Sequence, residues 1–179
     1  MKKLFLISII FALFFLSTGK ISAQVSSSSA TPIHVEYNLP YPGLLPDNPL
    51  YYLKAIRDNL LKFFISNPLK KAEFDLLQAN KRLVAAQFLL NKNKTDLSIT
   101  TLSKSGNYFD DAISSIGKAK KQGMQIDSLL TELSKASQKH QEIIRQMENG
   151  KRGEVLLELK FLEERAHDFW ERVEIIKSY

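Results

Sequence analysis

Between positions 69 and 90 leucine recurs every seventh residue, at Leu69, Leu76, Leu83 and Leu90, and Ala72, Ala79 and Ala86 recur by seven between them. A sustained seven-residue apolar repeat requires a helix with one stripe against another helix. Alanine at alternate seam positions lets the partner backbone approach closely. Phe74, Leu77, Val84, Phe88 and Leu89 widen the apolar surface beyond a two-stranded seam, which predicts a bundle helix with more than one neighbour. The pattern leaves open whether the seam closes within one chain or between two.

The flanking segments follow the same logic. Asp47 or Asn48 can cap a helix that begins near Pro49 and stops near Ser66. Its Leu50, Leu53, Ile56, Leu60 and Phe64 fall on one face, which predicts a core-facing stripe with Lys54, Arg57, Asp58 and Lys62 mostly outside. Asn67-Pro68 repeats the cap-then-proline start for the leucine-repeat helix, so the two helices are expected to be antiparallel neighbours. A third helix starts at Thr95 or Asp96 and alternates Leu102, Phe109 and Ile116 with Ser105, Ala112 and Ala119, ending near Gly123. Gly106 and Gly117 weaken it by roughly 1 kcal/mol each relative to alanine. A fourth spans about Asp127 to Glu148, with Leu133, Ala136, His140, Ile143 and Met147 on its apolar face, and Asn149-Gly150 closes it. A fifth carries Val155, Leu159, Leu162, Ala166, Phe169, Val173 and Ile176. The expected fold is all-α: an up-and-down bundle of about five helices preceded by a proline-rich extended arm.

That arm comes from Pro40, Pro42, Pro46 and Pro49, which forbid a helix through residues 35–49. Tyr37, Tyr41, Tyr51 and Tyr52 surround it and are expected to staple it to the bundle, the alternative being a recognition surface for a peptide or glycan. Ahead of it lies Gln24 to His34, a serine-rich flexible spacer. Residues 1–23 have the form of a signal peptide: Lys2 and Lys3, the apolar run Leu4 to Leu16, and Ile21-Ser22-Ala23 at a cleavage site. The run is shorter than the ~20 residues a spanning helix needs. Retention as a membrane anchor is the competing expectation. The remainder, 35–179, is expected to be a single helical domain, exported to the periplasm, cell surface or exterior.

Charge and composition exclude several classes. Removal of the signal takes Lys2, Lys3 and Lys20, leaving 22 basic against 19 acidic side chains and a net charge of +3. Lys70-Lys71, Lys118 to Lys121 and Lys151-Arg152 sit near expected helix ends, where they meet the macrodipole, and form no nucleic-acid stripe. The chain has no cysteine. Disulfides, thiolate nucleophiles and cysteine-based zinc sites are therefore excluded.

The run Leu45-Pro46-Asp47-Asn48-Pro49-Leu50-Tyr51-Tyr52-Leu53-Lys54, followed later by Arg82-Leu83, resembles an uncharacterised exported helical family of bacteria and archaea, a domain of unknown function. The chain departs from it around Arg82, where paired glutamates are common and Ala79-Asn80-Lys81 and Val84-Ala85-Ala86 stand here. The resemblance implies a signal peptide and a helical domain, and it carries no activity or site.

No catalytic constellation emerges. Glu164 and His167 have the Glu-x-x-His spacing of di-iron bundles, but no second copy accompanies them and His34 lies ahead of the helices. His140 on an apolar stripe fits a core or boundary histidine better than a ligand. Asp110-Asp111 and Glu163-Glu164 point apart on their helices and fit solvated faces. Asn93-Lys94-Thr95 matches a glycosylation sequon in a turn. No catalytic, cofactor or metal residue is assigned, and the expected function is non-enzymatic: a binding, scaffolding or protective module of the cell envelope with an unidentified partner. The alternatives are a metal-binding bundle using His140, Glu164 and His167, or a membrane-anchored accessory or sensor module.

Overall fold

The computed structural model describes residues 34–179. The expected signal segment and the spacer up to residue 33 lie outside the described residues. Five helices follow one another: α1 (Tyr51–Phe64), α2 (Pro68–Asn91), α3 (Thr95–Lys121), α4 (Asp127–Glu148) and α5 (Gly153–Ser178). No strand occurs among the described residues.

Local chemistry sets the boundaries. Asn67 caps α2, its side chain accepting the amides of Leu69 and Lys70 at 2.9 and 3.1 Å, with Pro68 at the first helical position where its missing N–H costs nothing. Asp47 does not cap α1. Its carboxylate instead receives Lys92 and Lys94 from the α2–α3 turn at 3.1 and 2.9 Å, and Asn48 Oδ1 accepts the Leu50 amide. Thr95 and Asp96 do not cap α3 either, since the helix already includes both and Lys94 precedes it without a side-chain cap. Gly123 and Gly150 end α3 and α4 with φ of +70° and +73°, a conformation that glycine adopts without a Cβ clash.

Two antiparallel hairpins, α2–α3 and α4–α5, pack face to face through α3 against α5 and α2 against α4. The leucine–alanine seam closes inside the chain. Ala72, Leu76, Ala79, Leu83, Ala86 and Leu90 are all buried. Ser98 Oγ donates to the Ala86 carbonyl and Ser105 Oγ to the Ala79 carbonyl, each at 2.7 Å. The pairs are seven apart on both helices, so small residues meet small residues along a repeating register and the backbones come close. In the centre of the bundle Phe109 stacks on Phe169 at 4.8 Å and meets the edge of His140 at 5.1 Å.

α3 and α5 run in the same direction and are tied by charge. Asp110 receives Arg165 at 2.5 Å and Arg172 at 2.6 Å, one on each carboxylate oxygen, and both guanidinium groups lie over the Phe169 ring. Asp110 is therefore a clamp between helices, not the solvated face expected from its Asp-Asp context. Gly106 has a reason to be glycine: a Cβ there would come within 2.8 Å of Arg165 Nη1.

Candidate docking surface on the first helix

α1 overturns the expected orientation. Leu53, Ile56, Leu60, Leu61, Phe63 and Phe64 are between 46% and 82% exposed, whereas Asp58 is 1% exposed. The helix turns Lys54, Asp58 and Lys62 inward and its apolar residues outward, with Arg57 on the exposed side. At 3.6 residues per turn, Lys54, Asp58 and Lys62 form a narrow strip facing α2 and α3, and the exposed residues cover an arc of roughly 200°.

The inward strip finds partners that explain the inversion. Lys62 Nζ lies 2.8 Å from Asp75 Oδ1 on α2 and 2.7 Å from Asp111 Oδ2 on α3. It also sits 4.7 Å from the centre of the Tyr108 ring, whose face holds the Arg82 guanidinium at 4.1 Å. Arg82, buried, donates to Gln78 Oε1 at 2.7 Å. Lys54 donates to the carbonyls of Pro42 and Leu44 at 2.6 and 3.3 Å, tying α1 to the segment that leads into it. Asp58 Oδ1 accepts two bonds from Arg57. α1 thus stands off the hairpin, with long charged side chains bridging a gap that apolar packing would otherwise fill.

Burial shapes the electrostatics of this seat. Asp75 has no exposed surface, and burial raises its carboxyl pKa despite the nearby Lys62 ammonium. Lys62 makes an ion pair with it, yet neither Asp75 oxygen has a well-directed hydrogen-bond donor, and Asp58 Oδ2 is likewise buried without one. Burial pulls the Lys62 ammonium down, but its contacts with Asp111 and Asp75 carry it above the ordinary value. Lys54 is lowered by burial, with Asp58 opposing the shift.

The other singled-out residues lie apart from this surface and from one another. His140 is a satisfied core residue: its Nε2 lies 2.9 Å from Asn80 Oδ1, and burial lowers its pKa to about 3. Asn80 Nδ2 donates in turn to the Tyr37 hydroxyl at 2.7 Å. Burial, with the Glu132 charge, raises Tyr37 to about 12. Of the four tyrosines expected around residues 35–49, Tyr37 bonds Asn80 and Glu132, while Tyr41 and Tyr52 are 78% and 73% exposed. His167 is at the surface, 3.4 Å from Glu171, and Glu164 is exposed. Glu163 pairs with Arg145 at 2.7 Å. Asn93 is exposed at the α2–α3 turn with φ +59°. Among the described residues no three His, Cys, Asp or Glu side chains converge in a way that could hold a metal.

A half-open cavity of about 210 Å³ lies beside Tyr37, bordered by Pro40, Glu73, Leu76, Asn80 and Glu132. That is below the size of ordinary small-molecule sites. Leu157, Phe161 and Ile175 on α5 are also exposed, but Ile175 lies about four turns beyond Phe161 and the three form no continuous helix face. None of the described helices is long and apolar enough to cross a membrane.

Sequence reasoning missed the orientation of α1, although a signal was present. The apolar residues of α1 occupy more than half its circumference, so the narrow polar strip is the better-defined face, and Asp75, Arg82 and Asp111 wait on the neighbouring helices to receive it.

A family model described as a domain of unknown function (DUF5667) matches residues 43–165, which include α1 and its charged seat. No curated protein and no solved structure matches the chain.

Proposed function

The chain belongs to the DUF5667 family, a domain of unknown function, and we propose that it works by non-enzymatic binding in the cell envelope, presenting α1 as its docking element. One observation carries this reading: six large apolar side chains of α1 are 46% to 82% exposed while Asp58 and Lys62 are turned inward. Monomeric soluble proteins rarely expose contiguous apolar patches beyond a few hundred Å² unless something binds there. Rotating α1 to hide its apolar face would pull Lys62 away from Asp75 and strand a buried carboxylate, so the outward presentation is built into the fold. The signal-peptide form of residues 1–23 supports export and, with it, an envelope partner.

Photo-crosslinking in intact host cells tests this. A diazirine side chain at Phe64 is expected to form adducts, and one at exposed Glu164 is not. Equal labelling at both positions, or none at Phe64, would contradict the docking role.

A further inference from the structure

Resting on that reading, we infer that the partner of α1 is a lipid bilayer surface, with the helix lying in the plane of the interface and Leu53, Ile56, Leu60 and Phe64 in the acyl-chain boundary.

The width of the exposed face argues for lipid. A helix docked on one other helix buries a stripe of roughly 100°, and the exposed apolar side chains of α1 span about 160°. A second copy of the chain, meeting α1 ridge to ridge, would leave both flanks wet. Acyl chains close around a convex helix without shape complementarity. α1 is 14 residues long, about 21 Å at 1.5 Å per residue, a length that suits lying along a bilayer and is too short to span one.

Side-chain chemistry agrees. The exposed arc carries no carboxylate, because the single acid of α1, Asp58, is buried. Its one cation, Arg57, is 65% exposed at the side chain; Nε and Nη2 bond Asp58, and the outward Nη1 side of the guanidinium is where lipid phosphates would meet it. Tyr52, 73% exposed near the start of the helix, has the apolar body and polar tip that favour the headgroup level. Nothing on the arc repels an anionic surface, and it has few groups with which to read a specific protein partner.

The sequence also carries a membrane-seeking segment: the apolar run Leu4 to Leu16 precedes His34 by 17 residues, and a chain whose leader engages a bilayer meets lipid during export.

The test uses the full chain in vesicles of phosphatidylethanolamine and phosphatidylglycerol with brominated acyl chains, which quench tryptophan on contact. Trp170, the only tryptophan, is on α5 and serves as the reference. The probe is Phe63→Trp in a Trp170→Phe background, both at sites with some exposure, and circular dichroism checks that the helices persist. We expect the position-63 probe to lose more than half of its emission and Trp170 to lose little. A probe left unquenched on vesicle-bound chain would overturn the lipid assignment. Adducts between Phe64 and protein in the cellular crosslinking would then leave the docking role standing without it. Emission of the probe that depends on protein concentration and not on lipid would assign the face to a second copy and equally overturn the inference.

Discussion

Lys62 Nζ on α1 lies 2.8 Å from Asp75 Oδ1 on α2, and Asp75 has no exposed surface. The pair fixes the rotation of α1 about its own axis and thereby decides which face of the helix meets solvent. Removing one partner of a buried pair leaves an uncompensated charge. Lys62→Met is expected to cost about 2 kcal/mol in urea denaturation, less than a fully buried pair because Lys62 is 22% exposed and shared with Asp111. Adding Asp75→Leu to it should restore most of the loss.

His140 makes stability depend on pH. Its folded pKa is depressed from 6.5 to about 3, so the unfolded chain binds a proton that the folded chain refuses. The contribution is present above pH 6.5 and is lost as pH falls toward 3. Between pH 7 and pH 5 it amounts to about 2 kcal/mol. Urea titrations at the two values should show this difference in the wild type, and His140→Gln should remove most of it.

The α2–α3 seam should reject volume more strongly than it needs its hydroxyls. Ala79 is fully buried, and its carbonyl accepts Ser105 Oγ across the helix pair. Ala79→Leu forces the backbones apart and is expected to cost about 3 kcal/mol. Ser105→Ala loses one hydrogen bond and should cost about 1 kcal/mol. Thermal melts of the two variants check the order.

The two glycines of α3 should respond differently to alanine. Nothing lies within 4 Å of a Cβ at Gly117, so Gly117→Ala should stabilise by about 1 kcal/mol through helix propensity alone. At Gly106 the new methyl meets the Arg165 guanidinium, which also holds Asp110 and Asn107. Gly106→Ala should show no such gain in calorimetry.

Much of the helical layout was legible because it rests on short-range chemistry. The seven-residue repeat marked α2, Asn67-Pro68 marked its start, and Gly123 and Asn149-Gly150 marked the ends of α3 and α4. The caps at Asp47 and Thr95 were misplaced because tertiary partners, or the position of the helix start, took precedence over local capping. α1 faces opposite to its apolar periodicity for a related reason. Apolar periodicity says which residues share a face, but burial depends on what the neighbours offer, and α2 and α3 offer Asp75, Asp111, Arg82 and Tyr108. The residues that carried the family resemblance serve the same seat: Asp47 and Lys54 secure the entry to α1, and Arg82 shares the Tyr108 ring with Lys62.

The outward presentation of α1 is tested most directly by thiol labelling, which the cysteine-free chain makes clean. Single cysteines replace Leu53, Leu60 and, as a buried reference, Ala79, and each is labelled at low protein concentration without lipid. Cysteines at 53 and 60 should react at nearly the rate of an unfolded chain, and the one at 79 should be protected by orders of magnitude. Protection at 53 and 60 comparable to that at 79 would mean that α1 packs its apolar face inward, and the docking surface would not exist.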